Sequence, residues 1–232
     1  MREIVLDTET TGLDPAQGHR LVELGCIELI NRIPSGATFH AYINPERDMP
    51  AEAFEVHGLS SDFLQGHRRF IEVVDDFLAF IGDAPLVIHN AGFDHAFLCA
   101  ELKRAERELI ARERLVDTLL LARRKHPGGP NRLDDLCARY GIDNSRRTKH
   151  GALLDAEILA EVYIELIGAR QAQLGLGESG ERRLGAEEGA ILTRTRPEPL
   201  PPRLGEAELA AHRDFVAGLG ENALWHNYQV NV

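Results

Sequence analysis

The chain has 232 residues, 44% of them hydrophobic and 27% charged, which suits one globular domain of ordinary size with sequence to spare for an appendage. A formal net charge of -11 argues against a protein that grips a polyanion on its own through many phosphate contacts. No run of about 18 consecutive apolar residues exists, and Met1-Arg2-Glu3-Ile4 runs straight into a strand pattern, so a soluble, cytoplasmic protein without membrane attachment is expected.

From Met1 to about Gln173, short apolar runs alternate with helical patterns, the signature of a mixed α/β domain. Ile4-Val5-Leu6 reads as a buried strand. Leu21 to Ile30 and Ala37 to Ile43 read as two more, with Asn31 to Gly36 as the turn of a hairpin. Phe70 to Ile81 has helical periodicity, Leu86-Val87-Ile88 is a short strand, and Asp94 to about Arg107 is a helix pattern. Helices near Thr118 to Lys125 and Arg132 to Tyr140 precede a long one from about Ala152 to Ala169. The α/β unit is thus 1–173. Residues 174–204, rich in Gly and Pro, have linker chemistry, and 205–232 regain helical spacing at Leu209, Phe215, Val216 and Leu219, with the only Trp at 225. Cys26, Cys99 and Cys137 are isolated and odd in number, as reduced structural thiols are.

Three places carry chemistry. Asp7 and Glu9 stand two apart at the end of an apolar strand, so their side chains point to the same side, about 7 Å apart along the chain. Alone, that pattern equally describes a solvated strand end. Asp94, in His89-Asn90-Ala91-Gly92-Phe93-Asp94, lies where a strand gives way to a helix, the edge at which α/β sheets bind ligands. An N-cap reading competes there. On helical spacing, however, Asp94 shares a face with Phe97, Leu98 and Leu102, and a carboxylate on an apolar face needs a partner to offset its desolvation. Asp155 likewise lines up with Ile158, Leu159, Val162 and Leu166, and His150 stands five residues earlier, about 7 to 8 Å away if the helix began there. Four carboxylates and a histidine on a strand end, a strand-helix junction and a helix start form a hard oxygen set suited to Mg²⁺ or Mn²⁺. Two such ions support in-line displacement at phosphorus, and an imidazole, which ordinarily titrates near neutrality, suits the general base. No cation in the sequence compensates these carboxylates by spacing alone.

Asp7-Thr8-Glu9-Thr10-Thr11-Gly12, His89-Asn90-Ala91-Gly92-Phe93-Asp94 and His150-Gly151-Ala152-Leu153-Leu154-Asp155 resemble the three exonuclease motifs of the DEDDh family. Glu52-Ala53-Phe54-Glu55-Val56-His57-Gly58-Leu59 and the stretches from Leu136 to Ser145 and from Arg147 to Asp155 narrow the resemblance to bacterial DNA polymerase III epsilon subunits. The resemblance implies a ribonuclease H-like fold and 3′→5′ removal of mismatched DNA 3′ ends. It places two divalent metals on Asp7, Glu9, Asp94 and Asp155, with His150 as base. It also implies that Thr10, Leu13, Glu52, His57 and Phe93, beside Asp7, Glu9 and Asp155, surround the terminal nucleotide. Phe93 would serve a core equally well, and His57 could simply end a loop.

Partners follow from the same resemblance. Residues 205–232 are expected to dock on the polymerase III alpha subunit, Gln173, Leu174 and Leu176 resemble a peptide for the sliding clamp, and a small theta-like subunit is a further candidate. The enzyme would then act in the cytoplasm, in the replisome at the nucleoid. Two other readings compete: an RNA-trimming exonuclease of the same family, against which the long tail argues, and a binding module that has lost activity, against which the intact five-residue set argues. GxxxxGK, HExxH and serine-elbow motifs do not occur.

Overall fold

Ile4, Val5 and Leu6 have no exposed surface, and the strand they belong to, β1 (Arg2–Thr10), runs through the middle of a five-stranded sheet. In this computed structural model, residues 1–147, 149–169 and 205–220 are described. The sheet has the order β3-β2-β1-β4-β5, with β2 at Leu21–Ile30, β3 at Ile33–Tyr42, β4 at Leu86–Ile88 and β5 at Leu115–Asp117. β2 runs antiparallel to β1 and β3, while β1, β4 and β5 are parallel. The carboxyl ends of those three parallel strands therefore lie along one edge.

Alternation along β1 sends successive side chains to opposite faces. Ile4 and Leu6 pack with Phe70, Val74 and Phe77 of α3 (Phe70–Ile81) and Phe97 and Leu98 of α4 (Ala91–Arg104). Val5 packs on the other face, with Leu136 of α6 (Leu133–Tyr140) and with Ile158, Leu159 and Val162 of α7 (Ala152–Leu166). Covered on both faces, the central strands read as continuous apolar runs. Each fully buried Phe, Leu, Ile or Val stabilises the fold by roughly 1.5–3 kcal/mol. The remaining helices are α1 (Ala51–His57), α2 (Ser61–Gln65), α5 (Thr118–Lys125) and α8 (Glu206–Gly218).

Several boundaries differ from those expected. The hairpin turn is two residues, Asn31 and Arg32, both with positive φ (51° and 67°), so Pro34 and Gly36 belong to β3 instead of the turn. Two residues in the left-handed region match the twist of the flanking strands. Pro34 is tolerated because β3 is an edge strand, where a missing N–H breaks no inner ladder. α4 begins three residues before Asp94, and Asn90 (φ 62°) is its N-cap, which rules out the N-cap reading of Asp94. His57 ends a helix and not a loop.

The chain divides into two units, Met1–Leu176 and Gly177–Val232. In the second, Phe215 of α8 and Leu219 just past its end are exposed. Gln173, Leu174, Leu176 and Trp225 lie outside the described residues. Among the described residues no helix is long and apolar enough to cross a membrane.

Candidate active site

β1 carries Asp7 and Glu9 to the carboxyl edge of the sheet, and the register pairs Asp7 with Gly25 of β2. That glycine determines what lies above Asp7. A Cβ at Gly25 would stand 2.3 Å from the backbone of Ala152 and Leu153, so only glycine lets the start of α7 rest on the sheet here. α7 then delivers Asp155 from its first turn, buried, over the end of β1. From the other side, α4 delivers Asp94, also buried, and Thr8 Oγ1 donates to Asp94 Oδ1 at 2.7 Å.

Asp7, Glu9, Asp94, His150 and Asp155 line one cavity of about 660 Å³. Ligand atoms of Glu9, His150 and Asp155 lie within 4.8 Å of one another. His150 precedes α7 instead of opening it, so the gap to Asp155 is far shorter than the rise along a helix would give: Nδ1 is 3.2 Å from Asp155 Oδ2. The His150 backbone N–H also donates to Val56 O, tying this loop to α1.

One cation balances part of this charge, contrary to the expectation of none. Arg147 donates from Nε to Asp155 Oδ1 (2.5 Å), from Nη2 to Asp155 Oδ2 (2.7 Å) and from Nη1 to Asp134 Oδ1 (2.7 Å), and Nη2 lies 2.7 Å from His150 Nδ1. Asp155 is accordingly held below its ordinary pKa: burial pushes it up, but hydrogen bonds from His150 and Arg147 together with the guanidinium charge outweigh burial. The other three behave oppositely. Burial first, then the charges of Asp94, Glu9 and Asp155, push Asp7 well above the carboxylate range. Burial and the charges of Asp155, Glu23 and Asp94 raise Glu9 to about 8, and burial raises Asp94 to about 7 against the hydrogen bonds that lower it. Three carboxyls that resist ionisation around one that does not are a set awaiting positive charge, and hard oxygen donors of this kind fit a divalent metal such as Mg²⁺ or Mn²⁺.

A second cavity, of about 510 Å³, lies beside the first and shares Thr8, Glu9 and Phe93 with it. Thr10, Leu13, Glu52 and His57 all line it. Leu13 is 85% exposed, unusual for a leucine, and Thr10 Oγ1 donates to Gly12 O at 2.6 Å. The Leu59 N–H donates to His57 Nδ1 at 3.1 Å, which puts the ring proton on Nε2. That buried nitrogen lies by the Thr10 backbone and makes no well-formed hydrogen bond among the described residues. Burial lowers the His57 pKa, so the ring is a neutral donor at the cavity wall.

Arg147 and Gly25 were missed from sequence. A signal existed for each: a cluster of cations just ahead of His150 in an acidic chain, and a glycine inside an otherwise apolar strand.

The "Exonuclease" family model matches residues 4–163. The chain is 42% identical to the DNA polymerase III subunit epsilon of Escherichia coli strain K12, across 97% of this chain and 97% of that protein. It is 46% identical to the subunit epsilon of Rickettsia felis, across 96% of this chain and 99% of the relative. The chain belongs to the DNA polymerase III epsilon-subunit family. Epsilon subunits are the proofreading exonucleases of the polymerase III core, and the enzyme is accordingly a 3′→5′ exonuclease, a hydrolase that acts on DNA. Two solved structures share the fold: the nuclease domain of 3′hExo, a DEDDh family member, bound to rAMP (TM-score 0.63, 16% identity, 72% of this chain and 92% of that one), and exonuclease X in complex with 5′ overhanging duplex DNA (TM-score 0.56, 23% identity, 72% and 91%). Exonucleases of the DEDDh family depend on divalent metal.

Proposed function

We propose that the exonuclease hydrolyses the terminal 3′ phosphodiester with Asp7, Glu9, Asp94 and Asp155 holding two divalent ions, Mg²⁺ or Mn²⁺, and His150 acting as general base. The single observation that carries this reading is the convergence of three carboxyls with raised pKa and one with a lowered pKa in a single cavity, an electrostatic debt that cations relieve. When bound, two divalent ions lower the pKa of a water and stabilise the leaving oxygen. The protein's own residues do the rest. His150 Nδ1 stands 3.2 Å from Asp155 Oδ2 and 2.7 Å from Arg147 Nη2, so both side chains hold the imidazole at the carboxylate cluster, where it is placed to take a proton from the attacking water. Thr8 orients Asp94 through its hydroxyl. In the neighbouring cavity, Leu13, Val56 and Phe93 offer apolar surface for the terminal base, Glu52 and Thr10 flank the sugar, and His57 Nε2–H supplies a donor.

The domain division at 173 and 204, docking of residues 205–232 on the alpha subunit, clamp contact through Gln173, Leu174 and Leu176, a theta-like accessory subunit and action in the cytoplasm at the replisome are part of the same reading. The division rests on the Gly- and Pro-rich composition of 174–204 and the partners on the sequence resemblance, with the acidic net charge as physical motive: a chain at -11 gains most from a partner that presents the primer end.

The test uses 3′-mismatched and paired DNA primers and an RNA control, cut by the wild type, Asp7→Ala and His150→Ala. EDTA and Asp7→Ala should abolish cleavage, Mg²⁺ or Mn²⁺ should restore the wild type, and His150→Ala should lower kcat by about 10²- to 10⁴-fold. Full activity in chelator, or a His150→Ala kcat near the wild-type value, would refute the assignment.

A further inference from the structure

The cavity that holds the carboxylates shares only Thr8, Glu9 and Phe93 with the second cavity, and part of its remaining lining is of different character. There it is lined by Arg123 at the end of α5, by Asn131 and Arg132 ahead of α6, and by His89 at the end of β4. Among the three arginines of this cavity, Arg147 is committed to Asp155 and Asp134. Arg123 and Arg132 are exposed, and neither guanidinium has a carboxylate partner among the described residues. Two uncommitted guanidinium groups therefore face the same cleft as five carboxylates, Asp7, Glu9, Asp94, Asp134 and Asp155, in a chain whose balance is strongly acidic.

A single strand carries one negative charge per nucleotide, and the metal-binding carboxylates can deal only with the phosphate being cut. Phosphates further along the strand would meet an acidic protein unless local cations face them, and arginine forks suit phosphate oxygens. The two cavities meet at Thr8, Glu9 and Phe93, so a strand cut there has its last nucleotide on one side and its remaining chain on the other. The apolar cavity fits the nucleoside, and the arginine wall fits the phosphates.

We propose that Arg123 and Arg132 form the binding shelf for the phosphates on the 5′ side of the scissile bond, so that the strand enters across the α5–α6 side of the cleft. This rests on the assignment of the carboxylates as the cleavage centre. It makes these arginines positioning residues for oligonucleotides, with no part in the chemistry itself.

The discriminating pair of substrates is a short single-stranded oligodeoxynucleotide and the p-nitrophenyl ester of thymidine 5′-monophosphate, which has no phosphate beyond the one cut. Arg123→Ala and Arg132→Ala should each lower kcat/KM on the oligonucleotide by about tenfold or more, as loss of a charged hydrogen bond does, with a much smaller loss on the ester. The slope of log KM against log salt on the oligonucleotide should fall by about 0.7 per arginine, and Arg123→Lys should recover most of it. Both side chains are exposed, so neither replacement threatens the fold. Equal losses on the two substrates, or an unchanged salt slope, would overturn the shelf. Asp7→Ala separates the underlying reading: if it still cleaves the ester, the carboxylate assignment fails, whatever the arginines do.

Discussion

Two buried arginine–carboxylate pairs in this fold look alike and mean different things. Arg20 donates to Glu101 from Nε (2.5 Å) and Nη2 (2.9 Å), and Arg147 donates to Asp155 from the same two nitrogens at 2.5 and 2.7 Å. Around Glu101 the balance is complete or better, since Arg104 adds a second guanidinium at 3.2 Å. Around Asp155 it is not, since the five carboxyls of its cavity, Asp7, Glu9, Asp94, Asp134 and Asp155, outnumber the three arginines there, Arg123, Arg132 and Arg147. The first pair ties the residue just ahead of β2 to α4, and its job ends with packing. The second leaves a surplus of negative charge facing solvent, which the fold alone gains nothing from. Local charge balance, more than burial or geometry, separates a structural ion pair from a site.

The largest effect expected from that contrast is at Asp94. Asp94→Asn keeps the shape and the acceptor for Thr8 but removes a charge, so exonuclease activity should fall by roughly 10³-fold or more. In EDTA, the same variant should melt at a higher temperature than the wild type, because one member of a repelling set is gone. A melting temperature that falls in EDTA would mean that the carboxylates are already balanced and that the contrast is false.

The structural pair should answer in the opposite way. Glu101→Ala leaves Arg20 without its buried partner, which costs about 3–5 kcal/mol in comparable cases, or on the order of 10 °C in melting temperature for a domain of this size. Cleavage per folded molecule, measured well below that transition, should stay within about threefold of the wild type. A loss of activity far beyond the loss of folded protein would show that this pair also shapes the site.

Much of this was legible in the sequence, for a physical reason. Asp94 and Asp155 stand in line with apolar residues three, four and seven or eight positions on, so their burial could be read without coordinates, and Asp7 and Glu9 come directly after the apolar run Ile4-Val5-Leu6 of the same strand. α3, β4 and α5 fall where their patterns place them. What escaped were short or long-range features. α1, α2 and β5 have seven, five and three residues, less than two turns or one clear alternation. Arg147 acts from a loop without periodicity, and Arg20 meets Glu101 across 81 positions, a pairing that no local pattern encodes. The hairpin turn was placed around Pro34 and Gly36 because they are strong breakers, yet Asn31 and Arg32 accept the left-handed conformation that a two-residue turn demands.

The smallest effect expected is a dependence of stability on pH, and its sign is specific. Glu9 and Asp94 have folded-state pKa values near 8 and 7, and Asp7 is also raised, so between their ordinary values near 4 and these the folded chain binds more protons than the unfolded chain. Stability from these groups is present at acid pH and is lost as pH rises through that window. Asp155 runs the other way, losing its contribution only as pH falls below the ordinary carboxylate range, outside the window in question. In EDTA, the wild type should therefore lose melting temperature relative to Asp94→Asn between about pH 5 and pH 8. With excess Mg²⁺ the trend should reverse, since ions bind the ionised carboxylates, and the stabilisation they give grows as protons leave. A melting-temperature difference that stays flat over this range in EDTA would mean that the carboxyls are ionised throughout, and the surplus charge that distinguishes this site from the Arg20–Glu101 pair would have to be balanced by something other than protons.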